Sequence, residues 1–288
     1  REEFAMKKWV GSVVLSFFVS LCVLFAFSPS SIAKEKSLLD EVIKRGEIRC
    51  AYIPWVPMAI KDPNTGKVSG VFPEVLEKLA SNAGLKIAWT EQVDYGTAIE
   101  GLKTGRYDML GTGIWPNASR ALHASFPVPL CFSAVEVFVR TGEDRFKNLE
   151  DINNPKVKIA TIDGEMADFI ARADFPNAKR TGLPQGADTA QLYLELVHKK
   201  ADVVFHDLVA AKAFMEKNPG KIERLFPSKP LRVFANAYMT PKGEEEFRDF
   251  LNIAIQELHN IGVVNAILKK YKMDEVTYPV ALPYAPNN

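Results

Sequence analysis

The sequence predicts a mixed α/β chain organised as two α/β units. Short apolar strands alternate with helix-patterned segments from residue 38 to 110, and the alternation resumes at residue 157. Such alternation builds a mostly parallel sheet with helices on its faces. Glycine follows several of the helical stretches, as helix ends require. Two extended apolar segments, residues 130–140 and 231–239, fall between the units, and either is suited to pass from one to the other.

Each element has its own signal. Residues 38–44 have helical spacing and Gly46 stops them; residues 48–52 are a short strand, and residues 62–66 (Asp-Pro-Asn-Thr-Gly) are a hairpin-type turn. Residues 73–83 place Val75, Leu76, Leu79 and Ala80 on one helix face, ended by Gly84. A strand at 87–90, a helix at 95–103 with Ala98, Ile99 and Leu102 on one face, and a strand at 108–110 complete the first series. The second series has a strand at 157–162, a turn at Asp163-Gly164, helices at 165–172 and 190–199, a buried strand at 202–205 and a helix at 208–217. Two closing helices, 244–258 and 263–271, flank Gly262, and a proline-rich tail at 279–284 is expected on the surface.

Composition bounds the function. The chain has 288 residues, 47% of them hydrophobic and 25% charged, with a formal net charge of +1 and no basic run. A nucleic-acid role is therefore excluded as an expectation. At the N-terminus, Met6-Lys7-Lys8 opens a positive region, residues 13–27 are almost wholly apolar, and Ser31-Ile32-Ala33 offers small residues at a cleavage site. This reads as a secretory leader cut after Ala33, preceded by five extra residues, and implies a periplasmic protein. The apolar run is shorter than a membrane span needs. Beyond the leader two cysteines remain, Cys50 and Cys131; sequence leaves open whether they pair or are buried thiols. There is no phosphate-binding glycine loop, and the four histidines show no metal-ligand spacing, so neither cofactor nor metal is expected.

The most informative run is Asp108-Met109-Leu110-Gly111-Thr112-Gly113-Ile114-Trp115-Pro116-Asn117-Ala118-Ser119-Arg120. It reads as a buried strand, a glycine-bearing loop and a helix start that presents one arginine. An arginine there can hold a carboxylate bidentately beside backbone N–H groups that favour anions.

Five segments, taken in order, resemble the extracellular solute-binding proteins of family 3, the polar amino-acid receptors of ATP-binding-cassette importers. They are the opening helix and strand around Arg45-Gly46-Glu47-Ile48-Arg49, the hairpin Gly66-Lys67-Val68-Ser69-Gly70-Val71-Phe72-Pro73-Glu74, and Leu102-Lys103-Thr104-Gly105-Arg106-Tyr107-Asp108. Lys199-Lys200-Ala201-Asp202-Val203-Val204-Phe205-His206-Asp207 and the closing helix ending in Lys270-Tyr271 complete the set. The resemblance spans about residues 39–271. It implies the two-lobed type II periplasmic-binding-protein fold, two α/β lobes joined by two hinge strands. Lobe 1 would comprise residues 34–132 and 237–288, and lobe 2 residues 133–236, closing on ligand like a hinge.

The resemblance also implies site residues. Arg120 falls at the carboxylate-binding arginine and Asp207 at the acid that meets the ligand's α-ammonium. Trp55 falls at the stacking aromatic and Tyr95 at another pocket wall. Gly113, Trp115 and Asn117 lie on the ligand loop, and Glu165 and Met166 lie beside the ligand in the second lobe. Three of these depart from the family pattern: Trp115 and Asn117 replace small polar residues, and Glu165 replaces a threonine. A glutamate beside a bound carboxylate repels it, so either Glu165 points away or the ligand is not a plain α-amino acid. Trp55, Tyr95 and Trp115 would alternatively form an aromatic cage for a cation, with Asp207 and Glu165 adding charge.

The expected function is a non-enzymatic periplasmic receptor, a monomer that captures an amino acid or related amine and delivers it to a membrane permease. Two rivals stand beside it: a cyclohexadienyl-dehydratase-like enzyme on the same fold using Glu165 as an acid, and a periplasmic sensor without transport.

Overall fold

The computed structural model describes residues 36–281 apart from Ser228. The expected leader and residues 282–288 of the tail lie outside the described residues. From Ser37 onward the chain clusters as one compact unit.

The first half is built around a short parallel sheet. Helix α1 (Leu38–Arg45) starts at Ser37, whose hydroxyl accepts the Asp40 N–H, and ends at Gly46 in a left-handed conformation. That turn feeds strand β1 (Glu47–Tyr52). β1 lies between β4 (Lys86–Gln92) and β5 (Met109–Ile114), parallel to both. Asp108, 1% exposed, fastens the start of β5 to β1. Its carboxylate accepts the Arg49 backbone N–H at 2.7 Å and the Arg49 guanidinium at 2.7 and 3.1 Å, and it also pairs with Arg45. The aspartate of that family-like segment is thus a satisfied structural carboxylate.

The hairpin β2 (Ile60–Lys61) and β3 (Val68–Ser69) turns on Asp62, whose Oδ1 accepts the N–H groups of Asn64 and Thr65 at 2.8 Å each. Gly70 then opens α2 (Val71–Asn82). One face of this half-sheet packs Val75, Leu76 and Leu79 of α2 against Phe247, Leu251 and Ile255 of α8 (Glu245–Asn260) and Val264 and Leu268 of α9 (Val263–Lys270). The other face packs α3 (Ala98–Lys103) through Ala98 and Leu102.

The second half repeats the plan. β8 (Lys158–Ile162) lies parallel to β9 (Lys179–Leu183) on one side and β10 (Val203–Asp207) on the other. α5 (Met166–Asp174) covers one face, with Ile170 and Ala171 in its core. α6 (Thr189–Val197) and α7 (Leu208–Lys217) cover the other with Leu192, Tyr193, Leu196 and Phe214. α4 (Ala118–Ala121) is a single turn after β5.

Two long antiparallel strands join the halves. β7 (Cys131–Arg140) pairs with β10, and β12 (Arg232–Pro241) pairs with β7 through residues 232–236 and with β5 at Ala237 and Met239. The main order is β4-β1-β5-β12-β7-β10-β8-β9; β6 (Ala124–Ser125) is added on β12, and β11 (Ile222–Arg224) and β13 (Tyr278–Pro279) on β7. At the crossover the fully buried Asn236 donates to Ser133 Oγ and accepts the Trp115 indole N–H at 2.7 Å.

The structure corrects several sequence expectations. The sheet is mixed rather than mostly parallel, because the two connecting strands are antiparallel to their neighbours. β9 carried no sequence signal, because Lys179-Arg180-Thr181-Gly182-Leu183 is an edge strand without apolar alternation. The helix expected from residue 95 begins at Ala98, because the Asp94 side chain holds residues 95–97 in a turn. Pro279, which opens the expected surface tail, is exposed and forms the two-residue β13 with Tyr278 on the hinge strand. Cys50 and Cys131 are buried free thiols. Burial pushes the Cys50 thiol well above its ordinary range, and that of Cys131 up to about 12.

Gly70 sits at φ +124°, and a Cβ there would lie 2.7 Å from the carbonyl oxygens of Pro57 and Met58. Gly70→Ala is expected to destabilise the chain by about 1–3 kcal/mol, read as a lowered urea midpoint at unchanged slope.

Candidate functional site

The carboxyl ends of β1, β5, β8 and β10 converge on one cavity, where helices α5, α6 and α7 begin. Cavities at such strand ends are where open α/β sheets bind ligands. The space between its walls is about 380 Å³, solvent at its open side included.

Local structure places each wall residue. Gly113 lies on β5 where a Cβ would meet the Phe72 ring at 2.0 Å, so only glycine lets that ring close under the strand. Phe72 in turn carries Trp55, stacked at 5.9 Å between centroids. Trp55 is set by a two-way backbone bridge to Ala59. Asp94 Oδ1 accepts the N–H groups of Gly96 and Thr97 at 2.9 and 2.8 Å, which presents Tyr95 at the loop tip. Trp115 stacks on Phe234 at 5.2 Å and is 8% exposed.

Arg120 is 7% exposed. Its guanidinium donates to the Trp115 carbonyl at 2.7 Å and to the Gly164 carbonyl at 3.1 Å. No carboxylate lies within ion-pair distance of it among the described residues. Burial, the largest influence, holds its pKa below the ordinary arginine value, against Tyr95 and Glu165, which favour the charge. The bond to Gly164 crosses from the first half to the second. Gly96 and Gln185 also meet across the same gap, where a Cβ on Gly96 would lie 1.9 Å from the Gln185 amide oxygen. The two halves therefore touch at the cavity mouth.

The opposite wall is acidic, with an imidazole inside it. Glu165 precedes α5 and Asp207 caps α7, its Oδ1 accepting the Ala210 N–H at 3.0 Å. His206 lies between them: Nε2 is 2.8 Å from Glu165 Oε1, and Nδ1 is 3.0 Å from Asp207 Oδ2. Glu165 is 5% exposed, His206 4% and Asp207 1%. Neither imidazole contact has hydrogen-bond alignment, and Glu165 Oε2 is buried without a hydrogen-bond partner, so these are close approaches that become ion pairs when the imidazole is protonated. Burial, the largest single influence, opposes the imidazolium, but Glu165 and Asp207 together raise the His206 pKa well above its ordinary value. The same carboxylates and burial push the Tyr95 and Tyr193 phenols upward.

Of the nine residues expected from sequence, Trp55, Tyr95, Gly113, Trp115, Arg120, Glu165, Met166 and Asp207 line this one cavity. Asn117 is not among the lining residues: its side chain accepts the Arg120 N–H at 2.8 Å as the cap of α4 and so orients the arginine. Sequence reasoning missed Ile114, Thr189 and His206. His206 was readable only as the neighbour of Asp207; nothing in its spacing points to Glu165, 41 positions away. Glu165 does not point away: it lines the cavity and lies 2.8 Å from His206.

Residues 48–274 match the family model of bacterial extracellular solute-binding proteins, family 3, and the chain belongs to that family. It is similar to the cyclohexadienyl dehydratase of Pseudomonas aeruginosa, 23% identical over 235 residues, 81% of this chain and 85% of that one. It is likewise similar to a probable histidine-binding protein of Campylobacter jejuni, 22% identical over 93% of this chain and all of that one. Among solved structures, a putative binding component of an ABC transporter from Wolinella succinogenes, complexed with lysine, superposes with a TM-score of 0.70 at 24% identity. That likeness covers 83% of this chain and 98% of the other. It defines the type II periplasmic-binding-protein fold, two α/β lobes joined by two strands.

A histidine whose pKa is raised on folding adds stability that is complete below its unfolded value of about 6.5 and is lost as the pH rises through the folded value. Thermal midpoints of the wild type are expected to fall over that window, and His206→Gln to remove that part of the slope. An unchanged slope in the variant would assign the titration to another group.

Proposed function

We propose that this chain is an amino-acid receptor of an ATP-binding-cassette importer: it takes a zwitterion into the cavity and releases it unchanged to a membrane permease. The observation that carries this reading is Arg120, a buried guanidinium aimed at the cavity and bonded only to two carbonyls. A ligand carboxylate is the natural partner for such a fork. The ligand's ammonium then faces Asp207, a wall residue whose Oδ1 accepts the α7 cap bond and whose Oδ2 lies 3.0 Å from His206 Nδ1. Trp55 and Tyr95 flank the ligand's body, Gly113 borders it from β5 and Trp115 from the loop that follows, and Glu165 and Met166 border it at the start of α5. The family membership and the histidine-binding and lysine-bound relatives support an amino acid as the class.

The lobes are assigned as residues 34–132 with 237–288, and 133–236, rotating about β7 and β12. Ligand first meets Arg120 and Trp55; closure then brings up Asp207. The Arg120–Gly164 bond is formed only when the halves meet, which ties closure to the residue that holds the carboxylate. Export to the periplasm, with cleavage after Ala33, and action as a monomer complete the reading.

A dehydratase-like activity is the second reading. Glu165 beside His206 is a carboxyl–imidazole pair inside the cavity, and one relative carries that activity. General acid chemistry needs such a group within reach of the leaving oxygen.

The two readings separate in one experiment. Wild type and Arg120→Ala are screened by thermal shift against the amino acids, polyamines, quaternary amines, arogenate and prephenate, with mass spectrometry of each mixture. A ligand at 100 times its dissociation constant adds about 2.7 kcal/mol of stability. The receptor reading expects a shift with an amino acid recovered at unchanged mass. It also expects Arg120→Ala to lose about 2–5 kcal/mol of binding, on the order of 30-fold to several-thousand-fold in affinity. Loss of water from arogenate or prephenate would favour the enzyme.

A further inference from the structure

The cavity holds four buried ionisable groups, and their charges can be counted. Arg120 is positive and has no acidic partner. Glu165 and Asp207 are negative, and His206 lies 2.8 and 3.0 Å from their oxygens. His206 faces two carboxylates and, on its other sides, the rings of Trp115 at 6.4 Å and Tyr193 at 6.2 Å. No other cation lies within ion-pair distance of Glu165 or Asp207 among the described residues.

We infer that His206 is an internal cation that fixes the charge of the ligand: the cavity accepts zwitterions with uncharged side chains and rejects amino acids with cationic side chains. This rests on the amino-acid reading above and names the ligand class within it. With His206 protonated, two positive and two negative groups leave the empty cavity neutral. A zwitterion keeps it neutral, its carboxylate on Arg120 and its ammonium towards Asp207. A lysine- or arginine-like side chain brings one more positive charge into a closed space. That charge must either stay uncompensated, which burial penalises heavily, or drive the proton of His206 out to solvent. The proton is held by two carboxylates, so the second route is also costly. Glu165 alone would serve as the acid for a cationic side chain; Glu165 with an imidazolium at 2.8 Å is already compensated.

Positioning by His206 has signatures that mere packing would lack. His206→Gln keeps a planar polar group of similar reach and leaves the cavity with one net negative charge. Glu165→Gln leaves it with one net positive charge. The two variants should therefore shift charge preference in opposite directions.

The experiment is calorimetric titration of wild type, His206→Gln and Glu165→Gln with charge-matched pairs: citrulline against arginine, and asparagine against 2,4-diaminobutyrate. Two pairs of different length allow for the length the cavity admits. Wild type is expected to bind the neutral member about tenfold or more tightly. His206→Gln is expected to narrow or invert that ratio by about tenfold, and Glu165→Gln to widen it. In parallel, the imidazole of His206 in the unliganded wild type, assigned by its loss in His206→Gln, is read by nitrogen chemical shift at pH 7.5; both ring nitrogens should carry protons. A neutral imidazole at that pH overturns the inference whatever the ligand, and does so even if Glu165→Gln fails to fold; if His206→Gln fails, the signal is assigned by its persistence when His123, His198 and His259 are each replaced by Gln. Amino-acid binding with a preference for the cationic member, or a ratio that both folded variants leave unchanged, overturns this inference alone. Failure of every amino acid to bind the wild type overturns the amino-acid reading and this inference with it.

Discussion

Burying Arg120 without an acidic partner is the constraint around which the rest of the molecule is arranged. A guanidinium 7% exposed is costly to keep unless its donors are engaged. Two are engaged by carbonyls, one from its own loop and one from Gly164 in the second half. The remaining donors have no acidic partner among the described residues and are open to an anion in the cavity. The protein's own carboxylates lie elsewhere: Asp108 against Arg45 and Arg49, Glu165 and Asp207 on either side of the single imidazole of His206. The site is therefore organised less by which charges it contains than by which of them are already compensated.

The scaffold makes that arrangement rigid where it must be and divisible where it must move. Parallel strands on each side end at the cavity, so small loops and helix starts can aim side chains inward from a stiff base. Carboxylates at the starts of α5 and α7 sit where the partial positive ends of helices favour them. The two halves are linked by a pair of antiparallel strands and by the Asn236 cluster between them. Trp115 is the shared piece: it leaves the first half's β5, stacks on Phe234 and hydrogen-bonds to the hinge strand. Its carbonyl, meanwhile, holds Arg120. A change in the angle between the halves is thus felt directly at Arg120.

Much of this was legible in the sequence, and the exceptions have physical reasons. The strand before Arg120, the helix after Asp207 and the two connecting strands all follow from apolar periodicity and glycine placement. Residues 208–217 were read as a helix and are α7 to the residue. The residues around the cavity were legible only through the ordered family-like segments, because pocket walls have no periodicity of their own. The capping role of Asn117 was not legible, since a capping side chain and a ligand-contacting one look alike in sequence. β9 was invisible, since an exposed edge strand needs no apolar alternation. His206 was the largest omission. Its meaning comes from Glu165, brought beside it by the pairing of β10 with β8, and a long-range contact of that kind leaves no local trace.

The account stands or falls on Arg120 meeting a carboxylate while Asp207 meets an ammonium. The most direct test takes the amino acid that the wild type binds most tightly and compares it with its methyl ester and its N-acetyl derivative by calorimetry. The ester removes the charge that Arg120 would hold, and acetylation removes the charge that Asp207 would hold. The account predicts that either blocked form loses about 100-fold or more in affinity. Blocked forms that bind as well as the free amino acid would contradict it.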